Sequence, residues 1–280
     1  MLPGMPRVYR SSSFDFTDQR IPARYDERLV PVLFGPWGEG LVALARPTRG
    51  SRALDVATGP GTVARILARV IGPKGIVAGC DASPAMITRA QSKPERAEYA
   101  PIAYTVCPAS PLPYPHAAFD LVTCQQGLQF FPDGVSALAE MHRTLVPGGR
   151  LAASVWCPPE DCTLFFAYQQ ALRNAGQAEL ADLMRAPFPR WTADDIRARV
   201  ADSGFSAIQV GEESRDLVFD GGLNQALAAF AATPIGPLVD ALPDADRAAV
   251  ADAARQTFAP WTIDGVIRGP MRSWIVLATR

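Results

Sequence analysis

A glycine turn in the stretch "LDVATGPGTVA" has the residue types to bind a nucleotide-like ligand. Asp55 lies in the apolar run before the turn, Gly59 and Gly61 lie within it, and an amphipathic segment begins at Thr62. Such a turn presents backbone N–H groups to a ligand, and glycine lets the ligand approach closely. The turn lacks the Gly-Lys-Ser/Thr ending of a phosphate loop, so a different ligand is predicted.

A second carboxylate extends this pattern. Gly59, Gly61 and Ala64 fit the G-x-G-x-x-G/A dinucleotide pattern, and Asp81 follows Gly61 by 20 residues, at the end of the next apolar run. A carboxylate at that place in a strand–helix–strand unit binds the hydroxyl groups of a ribose. The combination predicts a ligand that contains a nucleoside.

Asp55 indicates which nucleoside binds. A carboxylate beside a pyrophosphate would repel it in a site of low dielectric constant. S-adenosylmethionine carries an ammonium group, a sulfonium and a ribose diol, and it has no phosphate. We therefore expect S-adenosylmethionine as the cofactor, with Asp81 on the ribose hydroxyls and Ala82 or Met86 packed on the adenine.

Alternating strands and helices from residue 53 onward would position these residues. Helices are predicted over 62–71, after an N-cap at Ser83, over 136–145, and after a capping box of Thr192 and Asp195. The alternation predicts an α/β fold, with a Rossmann-like, doubly wound, mostly parallel seven-stranded sheet between helical layers. The seven predicted strands are 53–57, 76–80, 102–106, 119–124, 150–156, 206–213 and 273–279.

Three segments lie outside this alternation. Residues 14–46 predict an N-terminal helical cap, and residues 157–191 and 221–262 predict helical insertions that form a lid over the sheet, with two alanine-rich helices in 221–262. We expect residues 1–280 to form a single domain with these additions. The insertions carry aromatic side chains that either line the lid or pack on the core: Phe165, Phe166, Tyr168, Phe188 and Trp191.

Composition excludes several functions. A net charge of −1 without a basic stripe argues against a nucleic-acid partner. Two histidines, and five cysteines without a CxxC pair, predict reduced thiols and no metal site. The chain has no apolar run of membrane-spanning length and no signal peptide, so we expect a cytoplasmic protein without membrane insertion. The richness in arginine and alanine suggests a bacterial source.

Four stretches resemble the class I methyltransferases related to the ubiquinone and menaquinone biosynthesis group. They are "LDVATGPGTVA", "DASPAM", "PLPYPHAAFDLVTCQQGLQFFPD" and "LVPGGRL", which together cover about residues 50–156. The earlier stretch "ARYDERL" is similar to the Tyr-Asp helix that caps the cofactor in such enzymes. The resemblance implies an S-adenosylmethionine-dependent methyltransferase in which the Cys124–Gln125 backbone receives the methionine ammonium group. The expected cofactor-binding residues are Tyr25, Asp55, Ala57, Thr58, Gly59, Gly61, Asp81, Ala82, Met86, Ala109, Ser110, Cys124 and Gln125.

The chain departs from this family pattern at two places. Ala57 stands where the first motif usually has glycine, which narrows the approach to the cofactor. The family's aspartate for the adenine amine is missing from the stretch "CPAS", residues 107–110. Adenine recognition would then fall to the backbone near Ala109 or to Ser110.

No catalytic base is assigned by the sequence. Methyl transfer is an in-line displacement, to which positioning alone can contribute ~7–11 kcal/mol. Gln126 and Gln129 follow the predicted strand 119–124 but are poor bases. His116 is either an exposed turn residue or a base.

The leading hypothesis is a monomeric or homodimeric methyltransferase acting on oxygen or carbon of a small apolar or aromatic acceptor. Two alternatives remain open. The missing adenine aspartate, and the absence near Gln129 of the histidine that the family often has, would suit a cofactor-binding fold retained for a non-methylating role, such as cyclisation or scaffolding. The pattern of Gly59, Gly61 and Ala64 would suit a nicotinamide oxidoreductase, although Asp55 argues against it.

Overall fold

A single mixed β-sheet forms the centre of the protein. The computed structural model describes residues 21–280, so residues 14–20 of the predicted cap lie outside the described part. The strand order is β3-β2-β1-β4-β5-β8-β6, and the short β7 pairs with β8. The strands are β1 Arg52–Val56, β2 Ile76–Asp81, β3 Ile102–Val106, β4 Phe119–Gln125, β5 Leu145–Trp156, β6 Ser206–Phe219, β7 Thr262–Ile263 and β8 Val266–Thr279.

Helices cover both faces of this sheet and extend beyond its carboxyl edge. A π-helical turn, Val30–Phe34, connects the first two helices, and a 3-10 turn, Leu128–Phe130, follows β4. The α-helices are α1 Ile21–Arg28, α2 Gly35–Ala45, α3 Thr62–Ile71, α4 Pro84–Gln91, α5 Gly134–Thr144, α6 Thr163–Asn174, α7 Ala178–Leu183, α8 Ala193–Asp202, α9 Gly222–Phe230, α10 Gly236–Asp240 and α11 Asp244–Phe258.

The topology has the switch point of a doubly wound fold. Strands β3, β2, β1, β4 and β5 pair in parallel, and β8 is antiparallel to both β5 and β6. Because β1 is followed in space by β2 on one side and by β4 on the other, the chain reverses its winding between β1 and β4. In such sheets the ligand binds at the carboxyl ends of the strands beside that point.

Burial on both faces explains why the strands are continuously apolar. Ala53, Leu121 and Ala152 belong to the core on one face, which α2, α3 and α6 cover. Their chain neighbours, such as Leu54 and Val122, belong to the core on the other face. Successive side chains of a strand point to opposite faces, so a strand buried on both sides has no polar alternation.

The predicted α/β fold is confirmed, and its differences from the prediction lie at element ends. The fifth helix ends at Thr144 instead of 145, because "LVPGG" already belongs to β5. Strands β6 and β8 are longer than predicted and pair with each other along most of their length. Residues 221–262 form three helices instead of two, and the two-residue β7 was not predicted. A pair of β residues is too short to leave a period in the sequence.

The aromatic side chains of the insertions contact one another and join the core on the α2 and α3 side of the sheet. Phe165, Tyr168 and Phe188 are buried, and the Phe165 and Tyr168 rings lie 5.0 and 4.4 Å from the ring of Phe230. These three side chains therefore build a core for the insertions. Phe166 and Trp191 are only partly buried.

Two features that could indicate function are absent from residues 21–280. No group of three or more His, Cys, Asp or Glu side chains in this part of the chain could hold a metal ion. None of the helices described has the length and apolar character required to cross a membrane.

Candidate active site

The turn between β1 and α3 adopts left-handed backbone conformations at three positions. Ala57, Gly59 and Gly61 have φ angles of 57°, 54° and 80°. Glycine adopts this region freely, whereas an L-residue with a Cβ atom pays for it. Ala57 thus stands at a position where the backbone conformation favours the glycine that the family usually has.

The two glycines of the turn have different surroundings. A Cβ atom added to Gly59 would meet nothing within 4 Å, so its backbone faces open space at the end of β1. A Cβ atom added to Gly61 would collide with the Tyr104 hydroxyl and lie 3.2 Å from Ala90. Gly61 therefore permits close packing of the turn against β3 and α4, while Gly59 leaves room for a ligand.

Asp55 organises the turn from beneath. Its side chain is 1% exposed and accepts hydrogen bonds from the Thr58 hydroxyl at 2.6 Å, the Thr123 hydroxyl at 2.7 Å and the Ala64 N–H at 3.1 Å. These bonds tie β1 to the turn, to α3 and to β4. Thr58, predicted as a cofactor contact, is buried beside Asp55.

Burial makes the carboxyl group of Asp55 a weaker acid than usual. It raises the pKa of Asp55 to about 6, because loss of hydration outweighs the hydrogen bonds from Thr58, Thr123 and the Ala64 N–H, and the nearby Asp81 adds to the rise. Burial also raises the pKa of Asp81. Two such carboxyl groups favour a cationic ligand, since a positive charge would stabilise their ionised forms.

Asp81 connects the turn with the N-terminus of α4. One carboxylate oxygen accepts the Gly59 N–H and the other accepts the Ser83 N–H, both at 2.9 Å. Each carboxylate oxygen has a second lone pair, so two hydroxyl groups could still bind. The open space at Gly59 and the free acceptor capacity of Asp81 fit the methionine and ribose parts of S-adenosylmethionine.

The end of β4 leaves backbone groups available beside the switch point. The ladder between β1 and β4 ends at the pair Asp55–Thr123, whereas the ladder between β4 and β5 continues to Gln125–Ser154. Backbone groups of a strand alternate between its two neighbours, and the Gln126 N–H donates to the Ser154 carbonyl of β5. The N–H and C=O groups of Gln125, directly after Cys124, therefore face the β1 side, beyond the last pair of that ladder. The Gln125 side chain is held apart from this edge, because its amide N–H donates to the Phe34 carbonyl at 3.0 Å.

Helix α1 brings an aromatic side chain to the same region. The Tyr25 ring stacks on Phe34 at 4.7 Å, and burial raises the pKa of its hydroxyl well above the usual value, with further contributions from Asp81 and Asp26. Tyr25 therefore lies near the predicted ribose carboxylate. The ring centroid of Phe34 also lies 6.3 Å from that of Trp156. The sequence did not predict Phe34 or Trp156 as site residues.

Ion pairs anchor α1 on both sides. Asp26, whose side chain is 8% exposed, accepts hydrogen bonds from Arg89 at 2.8 Å and from Lys93 at 2.6 Å, at the end of α4. Arg24 pairs with Asp240 of α10 at 2.6 Å. Helix α1 thus bridges the helix after Asp81 and one of the insertions.

The predicted adenine region has no carboxylate in residues 107–110. The Cys107 N–H donates to the Asp81 carbonyl at 3.0 Å, which sets this segment beside β2. Ala109 and Ser110 are partly buried and Ala82 is exposed, while Met86 is 3% exposed and lies in the core. The role of Ala109, Ser110 and Ala82 toward adenine stays a prediction, and the burial of Met86 leaves little of its side chain for a ligand.

The three candidates for catalysis lie at different edges of the sheet. His116 precedes β4, is exposed, and lies with its Nε2 atom 2.6 Å from the Arg280 guanidinium, so the structure does not bring it to the carboxyl edge. Gln126 and Gln129 directly follow β4 and lie at that edge. Gln126 also has a left-handed backbone, with a φ of 53°.

Comparison with known proteins identifies relatives of this chain. The profile of the ubiE/COQ5 methyltransferase family matches residues 33–175. A demethylmenaquinone methyltransferase of Thermus thermophilus is 37% identical over 152 residues, which are 53% of this chain and 68% of that protein. The ubiquinone/menaquinone biosynthesis C-methyltransferase UbiE of Geobacter sulfurreducens is 34% identical over 145 residues, which are 50% of this chain and 57% of that protein. The matches span little more than half of most of these relatives, such as the Geobacter protein.

Solved structures share the fold at low sequence identity. The YcgJ protein of Bacillus subtilis superposes with a TM-score of 0.59 at 18% identity, covering 88% of this chain and 98% of that one. Phosphoethanolamine N-methyltransferase 2 of Haemonchus contortus, in complex with S-adenosyl-L-methionine, has a TM-score of 0.58 at 16% identity, covering 94% and 57%. At these identities the likeness shows the Rossmann-like fold alone.

Proposed function

This chain belongs to the ubiE/COQ5 methyltransferase family and is an S-adenosylmethionine-dependent methyltransferase, and from that premise we propose that it methylates a ring carbon of a small hydroxylated aromatic acceptor. The observation that carries the assignment of the cofactor site is the convergence of Asp55, Gly59 and Asp81 at the switch point. The names of the two relatives support a quinone-related acceptor. They do not favour the non-methylating alternative.

The cofactor site that we propose uses each residue for one part of the molecule. Gly59 and the free backbone edge of Cys124 and Gln125 receive the methionine, and Asp81 binds the ribose hydroxyls. Asp55 acts through its charge and through the turn that it orders, since it is 1% exposed and bound to Thr58, Thr123 and Ala64. The sequence predicts Asp55 as a residue that binds the methionine, and we propose that it does so indirectly.

The acceptor has to supply its own nucleophile at this site. The chain has only two histidines: His116 lies beside Arg280, and the His142 ring packs on Phe205 at 5.0 Å. An aromatic ring that carries hydroxyl groups has electron-rich carbons and needs only alignment with the methyl group. Partly exposed Phe34, which touches both Tyr25 and Trp156, offers an apolar surface for such a ring.

The chemistry is a displacement in which the bonds balance. The cofactor supplies an electrophilic methyl group on a positively charged sulfur. With the cofactor bound, the acceptor carbon would form the bond to that methyl group as the carbon–sulfur bond breaks with its electron pair staying on sulfur, and the ring proton would be released. Side chains around the site orient the two molecules and exclude water, which accounts for most of the rate gain expected without a base.

Helix α1 and the insertions form the cover of this site in our proposal. The position of Tyr25 near Asp81 supports a cofactor-facing role for α1. The Arg24–Asp240 pair connects that helix with α10. The cover would exclude water from the methyl group during transfer.

The test combines cofactor binding with product detection. We expect the protein to bind S-adenosylmethionine in calorimetry and to convert a hydroxylated naphthalene into a ring-methylated product that mass spectrometry identifies. In the Gly59→Ala variant, the new methyl group enters the open space of the cofactor site, so binding should fall at least about tenfold. The left-handed φ of 54° also strains this alanine, which costs about 1–2 kcal/mol of stability. The matched Gly61→Ala variant carries the same kind of strain and should lower the thermal stability further, because its methyl group also meets Tyr104. Absence of cofactor binding to the unaltered protein would refute the proposed function.

A further inference from the structure

Unpaired polar atoms concentrate at the carboxyl ends of β4 and β5. Among residues 21–280, Gln126 Oε1, both amide atoms of Gln129 and Ser154 Oγ are buried without a hydrogen-bond partner. A buried polar atom left without a partner loses the hydrogen bonds that it makes with water in the unfolded chain, which is unfavourable. Because these atoms lie next to the candidate active site, we expect a bound ligand to supply their missing hydrogen-bond partners.

A short relay fixes the orientation of the Gln126 amide. The Ser273 hydroxyl lies 2.9 Å from the Val155 carbonyl and 3.2 Å from the Trp274 carbonyl, so its single proton is donated to a carbonyl in either case. Its oxygen must then accept the bond from Gln126 at 2.9 Å, which requires the NH₂ group of the amide on that side. The Gln126 Oε1 atom consequently points away from Ser273 and can only accept a hydrogen bond.

The backbone holds Gln126 in this orientation at a cost. Its φ of 53° is left-handed, which is unfavourable for a residue with a Cβ atom, and its N–H donates to the Ser154 carbonyl at 3.0 Å. The side chain is 6% exposed, so it is enclosed by protein. A strained residue with an unused buried acceptor is typical of a functional position.

The relay lies on the face of the sheet where the aromatic contacts are. Trp156 and Ser273 are direct partners in the β5–β8 ladder, so their side chains share one face with that of Ser154, two residues before Trp156. Trp156 contacts the Phe34 ring at 6.3 Å. Phe34, through Trp156, and the amide of Gln126, through Ser273, therefore lie on the same face of the sheet.

We propose that Gln126 is a specificity-determining residue that accepts a hydrogen bond from a hydroxyl group of the methyl acceptor, and that Ser273 is the positioning residue that keeps its oxygen turned toward the acceptor. The site thus takes a ring that carries a donor and disfavours the same ring with a carbonyl or halogen in that place. This inference rests on the proposed function for the identity of the molecule that donates.

The experiment compares two probes of nearly equal shape, 1-naphthol and 1-fluoronaphthalene. The full-length protein is titrated with each probe, with and without S-adenosylhomocysteine, and the ratio of the two Kd values is measured. We expect 1-naphthol to bind about tenfold more tightly, as one net hydrogen bond to a buried acceptor allows. In Gln126→Met, which keeps the side-chain length and removes the acceptor, the ratio should fall to within about twofold.

Two further variants separate orientation from folding. Ser273→Ala frees the amide to rotate and should reduce the preference for 1-naphthol, whereas Ser273→Thr keeps a hydroxyl and should restore it. Gln209→Met, an exposed glutamine on the edge strand β6, is the matched control and should leave the ratio unchanged.

The outcomes for this inference and for the proposed function are distinct. Equal or absent binding of 1-naphthol, or an unchanged ratio in Gln126→Met, overturns the role of Gln126 even if methyl transfer occurs. A preference for 1-naphthol that disappears in Gln126→Met supports that role even if no methylated product forms, and the proposed function then fails alone.

Discussion

Ala57 adopts a φ of 57° in the turn after β1, a conformation that costs an L-residue about 1–2 kcal/mol. Glycine removes this cost but gives the unfolded chain about 0.4–1 kcal/mol of additional conformational freedom. We therefore expect Ala57→Gly to stabilise the protein by ~0.5 kcal/mol and to raise the Tm by ~1–2 °C in thermal unfolding. Cofactor affinity should not decrease, because glycine is smaller than alanine and leaves the cofactor more room to approach the turn.

Ala64 provides the control for that substitution, since it is a buried alanine in the regular helix α3. Ala64→Gly should destabilise the protein by about 1 kcal/mol. A lower Tm in both variants would show that the left-handed conformation of Ala57 is not the strain that we infer.

Asp55 gives the affinity for the cofactor a dependence on pH. Its pKa of about 6 means that the folded protein without ligand protonates this carboxyl group between pH 7 and pH 5. The cationic cofactor favours the ionised form, so affinity should weaken about tenfold as the pH falls over that interval. Calorimetry at several pH values measures the effect.

The stability of the protein without ligand depends on Asp55 in the opposite direction. The folded-state pKa lies above the value of about 3.9 in the unfolded chain, so the contribution of Asp55 to stability is fully present below pH ~4 and is lost as the pH rises through 6. Asp55→Asn should flatten both the pH profile of cofactor affinity and the pH profile of stability. Asp120→Asn, which removes a carboxylate paired with Arg52 at the other end of the sheet, should leave the profile of cofactor affinity intact.

At the scale of elements, the buried acceptor Asp26 holds α1 against the end of α4, where we propose that α1 covers the cofactor. Asp26→Asn weakens two charge-assisted hydrogen bonds, to Arg89 and Lys93, so α1 should separate from α4 more often. We expect the Kd for S-adenosylhomocysteine to rise about five- to tenfold and its dissociation to accelerate in stopped-flow measurements.

Glu27 is the matched control on the same helix, because it pairs with Arg89 at 3.3 Å but is 62% exposed. Glu27→Gln should change the Kd less than about twofold, as expected for an exposed pair. Equal effects of the two substitutions would contradict a specific role of Asp26. A double-mutant cycle with Lys93→Met then measures the coupling directly, and additive effects would argue against the pair.

Elements with a long period or a strong cap could be predicted from the sequence. The apolar spacing predicts the helix over 62–71, and Ser83 and Thr192 act as the N-caps expected of them. The ends of β5, β6 and β8 could not be predicted, because they depend on pairing between strands that lie far apart in the sequence. For the same reason, the relay from Gln126 to Ser273 joins residues 147 positions apart and leaves no local pattern.

At the scale of the molecule, the first helix, the sheet and the insertions meet around one region, and a bound cofactor should stabilise them together. Residues of α1 contact the end of α4 through Asp26 and α10 through Arg24, so ion pairs connect three segments that lie far apart in the sequence. We expect hydrogen exchange followed by mass spectrometry to show protection by S-adenosylhomocysteine at residues 55–61 and 81–86, and also at α1 and α10. At a ligand concentration of about 100 times the Kd, the added stability is about 2.7 kcal/mol, which raises the global Tm as well. Arg24→Gln should keep the protection of α1 and lose that of α10, whereas protection confined to the turn after β1 in the unaltered protein would show that the cover does not respond to the cofactor.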